Sequence, residues 1–277
     1  MNSKALANSV SGQFIYFIRK GYQALAPEWQ AEVKNFIRSC QHREGGFVNR
    51  AGNPDIYYSL FGVWLAKSIE MDDILDNHKH FITASEGKQK NTVDTFAILL
   101  IRILIHETDR GKYSLVKLLQ LAFFKSRQTS LFYRLFLFML VVDARYHSSW
   151  FWYPARPVLW FYTLPEESPC SIHAALLVIK KKVKLKSEPE AGRLLSFYEE
   201  GKGFKAYQAL EEADLLSTAV AMFALRTAGS DLRLLAPGCF DFIEQCYSDG
   251  AFLAGNGDNC RDLEYTFYGL LALGTLV

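Results

Sequence analysis

The sequence predicts an all-α protein, a single domain over 1–277 built as six helix pairs closed into a double ring. Three observations carry this expectation. First, a signature recurs near both ends: Gly45-Gly46-Phe47 then Asp55-Ile56-Tyr57-Tyr58-Ser59-Leu60-Phe61-Gly62, and Gly250-Ala251-Phe252 then Asp262-Leu263-Glu264-Tyr265-Thr266-Phe267-Tyr268-Gly269. A weaker copy runs from Gly203-Phe204 to Asp214-Leu215-Leu216-Ser217-Thr218-Ala219-Val220-Ala221, and such self-similarity marks a repeat architecture. Second, segments with a one-sided apolar stripe alternate with segments apolar nearly all round. Third, no stretch of strict period-two alternation competes, so strands should be rare or absent.

Taken in order, Trp29, Val33, Phe36, Ile37 and Cys40 fall at i, i+4, i+7, i+8 and i+11, one face of an amphipathic helix. From Asp55 the chain turns apolar on every side, the pattern of a buried helix. Buried helices of this kind begin near Asp55, Thr92, Thr129, Ser168, Asp214 and Asp262. Their amphipathic partners precede them around 28–40, 72–84, 112–125, 146–163, 191–200 and 232–247, the fourth interrupted by Pro154, Pro157 and Pro165. An open solenoid needs polar caps on its terminal repeats, whereas here the first and last repeats are the best copies of the motif; the ends are therefore expected to meet. Gly45-Gly46 and Gly250 supply the sharp turns into the buried helices, and Asp55, Asp214 and Asp262 stand where an N-cap belongs. Asp94 takes the same capping role in the second repeat.

Composition narrows the function. With 31 basic and 29 acidic residues the net charge is +2, too weak a field to argue for nucleic acid. Five cysteines, odd in number and scattered through helical patterns, read as reduced thiols of a cytoplasmic protein. Phe14-Ile15-Tyr16-Phe17-Ile18 before Arg19-Lys20 is too short for a signal peptide. The longest apolar stretches, around Phe96 to Ile105 and Leu131 to Val142, carry Arg102 and Arg134 and fall short of the roughly 20 residues of a spanning helix. The 21 Phe, 14 Tyr and 5 Trp must line a core or an apolar cavity.

The Gly-Gly-Phe turn followed by an Asp-x-x-Tyr-Thr/Ser-x-x-Gly-Leu helix resembles the repeat of the protein prenyltransferase β subunits and of the squalene and terpene cyclases. The resemblance is strong over 45–66 and 250–275, fair over 203–228, and elsewhere rests on the helix alternation. It implies an (α/α)6 toroid whose aromatic-lined central cavity holds an isoprenoid, and hence an enzyme of isoprenoid or terpenoid metabolism acting by prenyl transfer (a transferase) or cyclisation (a lyase or isomerase). The chemistry departs from that family. Protein prenyltransferases hold zinc with Asp-x-Cys and a later His; this chain has Leu216 and Tyr265 at the thiolate and imidazole positions, so no zinc is expected. Where the family binds diphosphate with Arg and Lys, this chain reads Ala206-Tyr207-Gln208-Ala209-Leu210-Glu211. In Asn91-Thr92-Val93-Asp94-Thr95-Phe96, valine stands where a cyclase has its alkene-protonating acid, leaving Asp94 as a relict acid or a cap. The alternative reading is a non-catalytic toroid that binds an apolar isoprenoid or lipid ligand, or a partner protein.

Candidate catalytic residues are Asp94, Asp214, Tyr58 and Tyr265, the two tyrosines lying where the family turns a functional side chain inward. Candidate ligand-binding rings are Tyr57, Trp64, Tyr268, Trp150 and Trp152; the last two lie in the dense aromatic stretch 149–153, near Trp160, Phe161 and Tyr162. No cofactor is expected, Mg²⁺ entering only with a diphosphate substrate. The weak metal candidates are Asp72, Asp73 and Asp76, an Asp-Asp-x-x-Asp string with carboxylates on one helix face. His78 and His80 read as exposed, and Lys180, Lys181, Lys182, Lys184 and Lys186 as a solvated loop whose functional version is contact with anionic lipid heads. Expected partners are an isoprenoid or other apolar small molecule, with no nucleic acid and no transmembrane segment; peripheral membrane contact and a protein partner stay open.

Overall fold

The computed structural model describes residues 9–75, 78–86, 91–105, 114–124, 131–146 and 153–277. These are mostly helical, as the sequence predicts, with three two-residue β-hairpins between helices. Helices α1 (Val10–Ala24) and α2 (Pro27–Ser39) lead into strands β1 (Phe47–Val48) and β2 (Pro54–Asp55) and then α3 (Ile56–Ser68). A 3-10 turn (Asp72–Leu75) precedes α4 (His78–Glu86), α5 (Thr92–Leu104), α6 (Leu115–Phe124), α7 (Leu131–Tyr146), α8 (Arg156–Phe161), α9 (Cys170–Lys182) and α10 (Glu188–Leu195). Strands β3 (Tyr198–Glu199) and β4 (Gly203–Phe204), helices α11 (Leu215–Ala228) and α12 (Ala236–Gln245), strands β5 (Tyr247–Ser248) and β6 (Ala251–Phe252), and α13 (Leu263–Leu276) complete the order. Five of the six expected buried helices begin within two residues of their predicted starts; the sixth start, Thr129, lies outside the described residues, and α7 is described from Leu131.

The repeated signature is a folding motif with a definite mechanism. Asp55, Asp214 and Asp262 are extended N-caps whose carboxylates accept from the backbone N–H three residues on, Tyr58, Ser217 and Tyr265, at 3.0, 2.8 and 2.8 Å. One position further sits a hydroxyl that reaches the hairpin. Ser59 Oγ, Thr218 Oγ1 and Thr266 Oγ1 accept from the N–H of Phe47, Phe204 and Phe252 at 2.9, 2.9 and 3.4 Å. Ser59 and Thr266 also donate to the carbonyls of Asp55 and Asp262. Each of these three Phe rings is fully buried beneath its helix. A Cβ at Gly62 would stand 2.2 Å from the Phe47 ring, and one at Gly269 would stand 2.2 Å from that of Phe252, which is why glycine holds the seventh place after the cap. The hairpin turns need left-handed backbone at Gly46 (φ 76°) and Gly250 (φ 82°), where glycine is unstrained.

In the second repeat the cap is Asn91, not Asp94: the Asp94 N–H donates to Asn91 Oδ1 at 2.7 Å, and Thr95 returns its hydroxyl to the Asn91 carbonyl. Counted from its cap, Asp94 therefore occupies the place of Tyr58 and Tyr265.

The chain divides into two compact units, 1–16 with 34–147 and 17–33 with 148–277. In the first, α3, α5 and α7 pack side by side in sequence order; in the second, α9, α11 and α13 do the same. The second unit joins the start of the chain to its end. Trp29 stacks on Tyr247 at 4.9 Å between centroids, and the Tyr247 hydroxyl donates to Glu32 at 2.6 Å. Helix α1, which no reading of the sequence singled out, crosses α13 so closely that a Cβ at Gly274 would meet the Phe17 carbonyl at 1.7 Å. Within the same unit, Lys180 is no solvated residue: it is buried in an ion pair with Glu190, and also donates to the Tyr162 carbonyl. Among the described residues no helix is long and apolar enough to cross a membrane.

The Phe-under-Gly packing makes a direct prediction. Gly62→Ala and Gly269→Ala each force a methyl into an aromatic ring and should cost about 1–3 kcal/mol, outweighing the helix-propensity gain of up to about 1 kcal/mol. Gly192→Ala, in α10 with nothing within 4 Å of the new methyl, should instead stabilise by roughly 0.5–1 kcal/mol. Urea denaturation of the three variants checks both signs.

Candidate functional site

One concavity lies in the first unit, at the starts of α3 and α5. It encloses about 570 Å³ between Glu44, Pro54, Ile56, His80, Phe81, Ala84, Ser85 and Asp94. The Gly-Gly turn and β2 supply one wall, and α4 the other, held by Phe81 against Gly46. Asp94 enters from the first turn of α5, half-buried. Burial, followed by the nearby Asp55 carboxylate, raises its carboxyl above the ordinary Asp range, while its bond with Asn91 acts the other way. The same cleft holds the exposed imidazole of His80.

The other acids of the motif are differently placed. Asp214 is buried with its Oδ1 on the Ser217 N–H, and burial pushes its carboxyl up. Around it lie Cys170 and Cys246, both raised first by burial and then by the Asp214 charge, Cys246 to about 12. Thiols so raised are protonated and inert. All five cysteines are free. Asp262 is equally buried as the cap of α13.

The candidate rings divide in two. Tyr57 and Tyr58 are half-buried on the first turn of α3, and Tyr265 and Tyr268 on the first and second turns of α13, with Tyr57 edge-on to Tyr58 and Phe61 and Tyr268 edge-on to Phe267. Trp64 is covered by Phe14 and Phe61 and keeps 3% of its surface. Trp150 and Trp152 lie outside the described residues, as does Asp76. The two remaining aspartates of that string are engaged by cations: Lys67 holds Asp72 at 2.7 Å, and Arg38 holds Asp73 at 2.6 Å and lowers its carboxyl. No group of three or more potential metal ligands occurs among the described residues.

His78, expected at the surface, is fully buried against Phe47, with ring centres 5.0 Å apart. Its Nδ1 faces the Ile74 carbonyl at 3.1 Å and, since a carbonyl only accepts, must carry the proton. No spacing rule distinguished it from His80; the signal was its place one residue into an amphipathic helix, on the face shared with Ile82. Asp94 as cleft residue was likewise findable, by aligning Asn91 with Asp55. Comparison with protein-family models, curated proteins and solved structures gives no match.

Burial lowers the His78 imidazole to about 4. The unfolded chain takes up a proton near pH 6.5 while the native state refuses it until about 4, so this stability is present above 6.5 and lost as pH falls through that window. The loss amounts to about 3 kcal/mol at most. His173, lowered mainly by burial, adds to the same trend. Urea titrations at pH 7 and 4.5 should show His78→Phe losing less stability over the interval than the parent protein.

Proposed function

We propose that the six helix pairs close into an α/α toroid that binds an apolar ligand, an isoprenoid or other lipid, without performing the chemistry of the family it resembles. The observation that carries this reading is the engagement of the motif's polar groups by the fold: the carboxylates of Asp55, Asp214 and Asp262 accept from backbone N–H groups, and the hydroxyls of Ser59, Thr218 and Thr266 hold the hairpins. What the repeats leave to face a ligand is aromatic, Tyr57, Tyr58, Tyr265 and Tyr268. Within the second unit, the stack of Trp29 on Tyr247 and the α1–α13 crossing bring residues 17–33 onto the last repeat, as a ring requires of its ends. Free thiols fit a reducing, cytoplasmic location.

A second reading, an isoprenoid-processing enzyme, is favoured by one observation: the raised carboxyl of Asp94 in a cleft with His80. There Asp94 would deliver a proton to an alkene or a leaving oxygen, and His80 would accept one.

Native mass spectrometry of the purified protein with a prenyl alcohol and a prenyl diphosphate separates the two. Binding without product is expected, with Tyr58→Phe and Tyr265→Phe each weakening it about 2–10-fold, the loss of one ordinary hydrogen bond. Product formation abolished by Asp94→Asn would establish the enzymatic reading instead, and failure to bind either compound would end both.

A further inference from the structure

Helix α8, Arg156–Phe161, is apolar in four of its six positions and buries none of them. Its neighbours behave otherwise. The short helix α10 buries Leu194, and α12 buries Cys239, Phe242 and Ile243. On α8 and the turn before it, Phe161 keeps 83% of its surface, Val158 70%, Trp160 57% and Tyr153 40%. A stable helix in water ordinarily turns such a stripe toward a core. Contiguous exposure of aromatic and aliphatic side chains marks a surface that meets something else.

The surroundings say what. Tyr153, Arg156, Pro157, Trp160, Phe161 and Leu185 line an open apolar concavity of about 450 Å³. Arg156 lies over the Tyr153 ring at 5.1 Å and reaches the Lys184 carbonyl at 3.5 Å, which fixes the segment after α9 beside α8. Leu185 is buried there, and the residues on either side of it, Lys184 and Lys186, are exposed. Neither 153–165 nor 180–187 contains an acid; Glu166, Glu167 and Glu188 stand at the margins, and Glu188 lies in the field of Lys186 and Lys181. Rings and aliphatic chains are thus bordered by cations with little to neutralise them.

We propose that α8, with Lys184 and Lys186, docks the protein on the surface of an anionic lipid bilayer. Trp160, Phe161 and Val158 enter the headgroup layer, where amphipathic rings are favoured, and Arg156, Lys184 and Lys186 meet the lipid phosphates and carboxylates. The charge is what selects a bilayer over a protein surface, since cations around an apolar patch complement the inner-leaflet surface potential. The attachment is peripheral and salt-sensitive.

Cosedimentation of the full chain with vesicles tests the assignment. Each basic residue near an anionic surface strengthens binding about fivefold, so the three together should give roughly 100-fold stronger partition onto phosphatidylcholine vesicles containing phosphatidylserine than onto phosphatidylcholine alone. Lys184→Glu with Lys186→Glu should remove at least about tenfold of that preference. Trp160→Ser with Phe161→Ser should lower binding to both vesicle types, with an unchanged melting curve because both side chains are exposed. Equal partition onto the two vesicle types, or partition indifferent to these variants, would overturn the proposal. So would absence of vesicle binding together with self-association that Phe161→Ser abolishes, since the patch would then cover a second copy of the chain.

Discussion

Three of the repeats depend on one hydroxyl each. Ser59, Thr218 and Thr266 sit on the first turns of α3, α11 and α13 and accept the N–H of a buried phenylalanine in the hairpin before each, 12 to 14 residues upstream. Without that acceptor, burying the ring would orphan a backbone donor at a cost of about 1–3 kcal/mol. With it, the hairpin lies flat under its helix, the ring is sealed and the helix start is fixed relative to the turn. Everything at the mouth of the repeat, including the orientation of the residue three places after the cap, follows from this local construction.

That construction explains both what was legible and what was not. Repeats one and six carry the whole motif and repeat five its hairpin, cap and hydroxyl, so caps, turns and helix starts are read directly from the sequence there. Among its described residues the second repeat shows no hairpin, and it uses Asn91 where the others use aspartate, so an aspartate pattern points to Asp94, three residues too late. The lesson is physical: asparagine and aspartate cap equally well, and position relative to the helix matters more than charge. Helix α1 escaped for a different reason. Val10, Phe14 and Ile18 have helical spacing, but the segment was weighed only as a targeting sequence, and its glycine contact with α13 has no counterpart in periodicity. Burial of Lys180 was hidden inside a run of lysines, because its partner Glu190 lies on the next helix and nothing local marks the pairing.

Function varies where the fold is indifferent. Three places after the cap the backbone N–H does the structural work, so the side chain is free to differ: Tyr58, Asp94, Ser217 and Tyr265. The hairpin-led repeats hold the capping oxygen and the latch hydroxyl constant, while the packing glycine recurs at Gly62 and Gly269 and gives way to Ala221 in the copy between them.

The bond from Tyr247 to Glu32 spans 215 residues of chain. On a ribosome adding about 5–20 residues per second, the N-terminal helices emerge roughly 10–40 s before the segment that covers them exists. Each hairpin and the helix after it can form as soon as it is made, but Phe17 must wait for Phe223 of α11, and Gly21 and Trp29 for the last repeat. Biogenesis of this protein therefore has a long interval in which its beginning is vulnerable to aggregation and its end is missing. Chaperones that bind nascent N-terminal segments act on that interval, and a chain ending before Leu270 leaves the face of α1 around Gly21 without the helix it crosses.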